Sequence, residues 1–153
     1  MSAQIVTACA GFLLAVLWMD LIFDTQIRRR RSGDAPDAAA LDSIAGYYRR
    51  ATTTSRPMSL LIALVMAVLL ATLAFEAIRG TRPGWLIALS AVLAGGPVLL
   101  ALTRTVPNAV RLGGRTGTPA EQARLARSVL GDHVLCLAGM LAFLVLWIIA
   151  GLG

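Results

Sequence analysis

The stretch LWMDLIFDTQIRRRR, Leu17 to Arg31, sets two aspartates into the end of an apolar run and follows them with four arginines. Upstream of the arginines, Ile5–Phe23 runs for 19 residues with Asp20 as its only charge. Three further runs, Met58–Phe75, Trp85–Leu102 and Val134–Leu152, hold 18 or 19 residues each and no charge. At a rise of about 1.5 Å per residue, each run is long enough to cross a hydrocarbon core of about 30 Å. Backbone groups in lipid must find their partners within the segment, so these runs are predicted to be helices. The composition agrees. Of 153 residues 58% are hydrophobic and only 14% charged, where a soluble domain needs about a quarter charged to wet its surface.

The expected fold is therefore an all-α membrane protein, a four-transmembrane-helix bundle. It forms a single integral membrane domain over residues 1–153, with transmembrane helices at about 3–27, 57–78, 84–105 and 128–151. The tract RSGDAPDAAALDSIAGYYRRATTTSRP, residues 31–57, is the one long loop. Its Ser-Gly-Asp-Ala-Pro is a helix-start signal with Pro36 suited to the first turn, and Leu41, Ile44, Ala45 and Tyr48 follow at helical spacing. That pattern predicts a short amphipathic cytoplasmic helix between helices one and two, lying on the leaflet with Tyr47 and Tyr48 at headgroup level.

The N-terminus, MSAQIVTACAG, lacks the basic segment that precedes a cleavable signal, and Cys9 has too little chain before it for a lipoprotein signal. Helix one is expected to stay. Cys9 and Cys136 are expected at different depths, too far apart for a disulfide, and so to be free thiols.

The net charge of +6 is carried by arginine alone. Seven arginines fall in loop one (Arg28–Arg31, Arg49, Arg50, Arg56) and five in loop three (Arg104, Arg111, Arg115, Arg124, Arg127), against Arg79 and Arg82 in loop two. Such a bias predicts a multi-pass cell-membrane protein with both termini outside and loops one and three cytoplasmic, arginines toward anionic headgroups. Nucleic acid is not an expected partner, because only Tyr47 and Tyr48 offer stacking rings among the arginines.

Local motifs complete the outline. Helix two carries Ser59, Ala63, Ala67 and Ala71 at every fourth position, and helix one carries Thr7, Gly11 and Ala15. Small-residue stripes of this kind let membrane helices approach closely. Gly95-Gly96-Pro97 predicts a kink in helix three, and Pro107 marks a second disturbance. LGGRTGTPAEQ, residues 112–122, lacks the lysine of a phosphate-binding loop. It reads instead as a helix end at Gly113-Gly114, followed by a capping box at Thr118 and Glu121 that starts helix four near Pro119.

Polar residues converge at one depth. Asp20 lies about 9 Å from the centre of helix one, Asp24 one turn further, and His133 at about the depth of Asp20 on helix four, with Asp132 beside it. Arg104 and Asn108 occupy the same end of helix three. Asp20, Asp24, Arg104, Asn108, Asp132 and His133 thus form the candidate ligand-binding or ion-pair cluster. A charged aspartate in hydrocarbon must be paired, protonated or facing water. Asp24 can pair with Arg28 at the surface, and Asp20 with Arg104 or His133. One histidine among scattered carboxylates lacks the ligand spacing of a zinc centre, and no cofactor is indicated.

From Val106 onward, VPNAVRLGGR and then ARSVLGDHVLC resemble the anthrone-oxygenase-like family of small four-helix membrane proteins. Pro107 and Asn108 match its Pro-Asn at the end of the third helix, and His133 its histidine early in the fourth. The likeness covers the last third of the chain. It departs at Val129 and Cys136, where the family pattern has a tryptophan and an arginine. The resemblance implies a membrane oxidoreductase acting on a lipid-soluble aromatic or quinone-like substrate, with His133 as base and Asn108 or Arg104 holding an oxyanion.

Read from the residues alone, the chain is a binding, accessory or transport component with a polar pocket near the cytoplasmic leaflet, transport calling for a homo-oligomer. A purely structural or partner-binding role is the remaining alternative.

Overall fold

The computed structural model describes residues 2–29, 37–54 and 56–152. Among them there are helices and no strands: α1 (Ser2–Asp24), α2 (Ala38–Arg49), α3 (Arg56–Arg79), α4 (Gly84–Leu100), α5 (Val106–Gly113) and α6 (Pro119–Leu152). A tight 3-10 turn, Thr25–Arg29, ends α1. Four stretches are long and apolar enough to cross a membrane: Ser2–Ile27, Pro57–Arg79, Gly84–Gly113 and Pro119–Gly151. The first two match the expected spans within a residue or two. The third continues past 105 to Gly113 as α5, and the fourth starts at Pro119 as the capping box required.

That box is complete. Thr118 N–H donates to Glu121 Oε2 at 2.7 Å and Glu121 N–H donates back to Thr118 Oγ1 at 3.3 Å, with Pro119 in the first helical position. Helix α6 then runs 34 residues, about 51 Å, and becomes the axis of the molecule.

The spanning helices form a ring in which α1 packs on α3 and α6, and α4 on α3 and α6. Their shared core is Val6, Ala10 and Leu13 from α1, Leu69 and Leu73 from α3, Ala94 from α4, and Met140, Phe143 and Trp147 from α6. Large apolar side chains outside it are bare, including Leu60 at 69% exposure and Val92 at 68%. A water-facing surface does not carry such a girdle, whereas a lipid-facing one does.

A second core lies at the arginine-rich end. Leu41, Ile44 and Tyr48 of α2 pack with Ala109 and Leu112 of α5 and with Ala123, Leu125, Ala126 and Val129 of α6. This corrects the expected place of α2. Its apolar stripe, predicted to rest on the leaflet, is covered by protein, because α5 and the first turns of α6 extend beyond the spans and offer it a surface. The start of α2 also moves. Asp37 caps it, its side chain accepting from the N–H groups of Ala39 and Ala40; Pro36 lies outside the described residues.

Two close approaches set the geometry. A Cβ on Gly113 would come within 2.8 Å of the Arg49 backbone nitrogen, so glycine alone lets α2 cross α5 there. A Cβ on Gly139 would meet Pro97 Cγ at 3.2 Å, so α6 crosses α4 against the proline ring. The winding stays α-helical through Pro97, and the disturbance comes later, as a wider π turn over Ala101–Thr105. Val106 N–H reaches back to Ala101 O there, just before Pro107, which has no N–H to offer.

The small-residue stripes do not mediate these contacts. Gly11, Ala15, Ser59, Ala63, Ala67 and Ala71 are exposed, while the Leu13–Asp24 side of α1 faces inward. Helix rotation placed the acids, rather than the small residues, against the bundle. Cys9 and Cys136 are free thiols, as expected.

Candidate functional site

Asp20 and Asp24 are four residues apart on α1 and so share one face of the helix. Both point at His133 of α6. Its Nδ1 lies 2.7 Å from Asp24 Oδ2, and its Nε2 lies 3.8 Å from Asp20 Oδ2. The imidazole therefore stands between two carboxylates, in hydrogen bond with one and at ion-pair distance from the other.

Helix α2 closes the site from above. Tyr48 Oη donates to Asp24 Oδ1 at 2.6 Å and Tyr47 Oη donates to Asp20 Oδ1 at 2.6 Å. The Tyr47 ring stacks on Phe23 with centroids 4.1 Å apart, which holds that hydroxyl over α1. Burial, and then the nearby carboxylates, push both phenols above their ordinary range, so they remain protonated donors. Asp24, Tyr48 and His133 are buried, and Asp20 and Tyr47 half-buried.

This arrangement overturns two expectations and decides between the two partners expected for Asp20. Asp24, expected at the surface, is fully buried and bonds to His133 and Tyr48; the Arg28 side chain named as its partner lies outside those described. Tyr47 and Tyr48 do not turn their hydroxyls outward as anchors; they donate to the carboxylates of α1, because a phenol tip on a packed face needs a partner. Asp20 faces His133 and not Arg104.

Arg104 belongs to a separate group. Its Nε lies 3.4 Å from Asp132 Oδ2 and its Nη2 donates to Ser128 Oγ at 3.0 Å. Asn108 Nδ2 reaches the same Ser128 Oγ at 3.5 Å, and Thr105 Oγ1 donates to Asp132 at 3.3 Å. The predicted single cluster is thus two. Asp132 and His133 are adjacent, and adjacent helical residues point about 100° apart, so one faces the π turn of helix three and the other faces α1 and α2.

Sequence reasoning missed Tyr47, Tyr48, Thr105 and Ser128. Tyr48 carried a readable signal, a hydroxyl at the end of the stripe Leu41–Ile44–Ala45–Tyr48. The others carried none.

Charge defines what the first cluster can do. Among the described residues, with both carboxylates ionised, even an imidazolium leaves one negative charge in excess in a largely buried place. Uncompensated buried charge is costly, so the cluster has a place for one more proton shared among its acids and its ring. Among the described residues, no three His, Cys, Asp or Glu side chains are disposed to hold a metal ion.

The fold and this cluster define an all-α, multi-pass membrane protein with an acid–histidine–acid site roofed by two tyrosines. No protein-family model matches the chain, and no curated protein and no solved structure matches it.

Proposed function

We propose that this chain is a binding, accessory or transport component of the cell membrane whose Asp20–His133–Asp24 site takes up and releases a proton. The carrying observation is the imidazole held between two carboxylates, 2.7 and 3.8 Å away, with more acid than base in a buried place. The arginine bias supports an orientation with both termini outside and the site near the cytoplasmic leaflet. Transport through so small a bundle would require self-association.

The chain has one histidine, so nitrogen-labelled histidine gives a single-site NMR spectrum of the full protein in lipid nanodiscs. A pH titration is expected to shift the ring resonances, and to shift them at a different pH in Asp20→Asn. A ring locked in one state throughout the titration, in both proteins, would sink the proposal.

A second reading has its own observation. Every buried side-chain nitrogen and oxygen among the described residues has a hydrogen-bond partner, which supports a structural latch between α2 and the bundle. In that case Asp20→Asn lowers thermal stability while leaving the titration flat. The oxidoreductase implied by family resemblance would have to join His133 to Arg104 or Asn108, and these lie in separate clusters. Turnover of a quinone-like substrate that His133→Ala abolishes would restore it.

A further inference from the structure

Where α2 crosses α5 there is a cleft of about 230 Å³, lined by Asp42, Ala45, Gly46, Arg49, Gly113 and Arg115. Two of its six lining residues, Gly46 and Gly113, have no side chain to fill it. Gly46 has open space where a Cβ would stand, with only Arg50 Nη1 at 3.9 Å. Arg49 at the end of α2 and Arg115 in the turn after α5 both line the cleft. Arg115 sits at φ 51°, a left-handed conformation unusual for a residue with a side chain, and its guanidinium pairs with Asp42 across the cleft. The exposed Arg50, Arg111, Arg124 and Arg127 add positive field around it, against Asp37, Asp42 and Glu121 among the described residues.

The volume is too small for a drug-sized molecule and suits a single anionic group. Depth narrows the source. From Gly84 to Gly113 the third span is 30 residues, about 45 Å, which exceeds the hydrocarbon core and reaches through the headgroup layer. The cleft at Gly113 therefore lies at headgroup level. Arginine forks are the side chains best matched to phosphate oxygens.

We infer that the α2–α5 cleft is a phosphate-binding site, held by Arg49 and Arg115 and open to the phosphate of an acidic lipid headgroup or to free phosphate. It does not depend on the proton chemistry of His133.

The test uses the full chain in nanodiscs of phosphatidylcholine alone and of phosphatidylcholine with phosphatidylglycerol, read by native mass spectrometry for retained lipid. A second arm adds inorganic phosphate to the phosphatidylcholine discs and reads thermal unfolding against chloride at equal ionic strength. Variants are Gly46→Leu, which fills the cleft without changing charge, Arg115→Gln and Arg49→Gln. Retention of phosphatidylglycerol, weakened roughly tenfold by Gly46→Leu and by either arginine variant, supports the headgroup source. A phosphate-dependent rise in unfolding temperature that the same variants remove supports the soluble source. Acidic lipid held equally by all variants, or no response in either arm, overturns the site. Should Gly46→Leu fail to fold, the two arginine variants decide alone.

Discussion

The two ends of the bundle solve one problem in opposite ways. At the end bearing the termini, Glu76 of α3 is buried with Thr81 Oγ1 donating to it at 2.9 Å and Arg82 Nε at 4.0 Å. Arg82 also donates to Ala150 O at 3.1 Å and lies over the Trp147 ring, whose Nε1 donates to Ser90 Oγ at 2.8 Å. There the acid meets arginine, a base that stays charged at any ordinary pH. At the arginine-rich end, Asp20 and Asp24 face a histidine, the one side chain whose ordinary titration falls near neutral pH. Arginines are abundant at that end, yet among the described side chains none pairs with these two acids. The first arrangement fastens helices; the second is the one proposed above to change charge.

Asp24→Ala should break this comparison most strongly. It strips partners from His133 Nδ1 and the Tyr48 hydroxyl together, with an expected loss of about 3–5 kcal/mol. Thermal unfolding in nanodiscs checks it, with α2 expected to become open to protease. Gly113→Ala attacks the same end from the backbone. Its Cβ must push Arg49 away, lifting Tyr48 from Asp24, for about 1–3 kcal/mol and a changed histidine spectrum.

Trp147→Phe tests the opposite end. It leaves Ser90 buried without its donor, for about 1–2 kcal/mol, and the histidine titration should be untouched. If that titration moved, the two ends would be coupled rather than contrasted.

Alkaline pH sharpens the role of the roof. The Tyr48 phenol is held above its unfolded value of about 10, first by burial and then by Asp24. Its contribution is therefore full below about pH 10 and falls as pH rises further, because the unfolded chain loses that proton first. Stability followed from pH 8 to 11 should decline less steeply in Tyr48→Phe than in the parent. Smallest of all is Arg115→Gln. Arg115 and Asp42 are both more than half exposed, so unfolding should shift by no more than about 0.5 kcal/mol while phosphate retention falls.

Much of this molecule could be read before any coordinates. Helix count, span limits and the capping box at Thr118 and Glu121 rest on length and local hydrogen bonding, which neighbouring residues dictate. The depths of Asp20 and His133 were legible too, because depth along a helix is only residue number times rise. The rotation of each helix was not. A spanning helix is apolar toward lipid and toward the core alike, so its pattern does not say which side faces in. That ambiguity is why the small-residue stripes were expected at the interfaces, and why Arg104 was a candidate for Asp20.

Helix α2 shows the same limit from the other side. Its amphipathic stripe declared which face needed covering but not whether lipid or protein would cover it. By itself, then, the sequence determined a four-span helical bundle, its arginine-rich end and the level at which its polar residues meet. Only the tertiary structure decided that α2 folds back as a roof, that Asp24 rather than Asp20 is the more deeply held acid, and that Asp132 and His133 serve different neighbours. The physical reason is rotational: adjacent side chains diverge by about 100° around a helix, and packing alone chooses what each one meets.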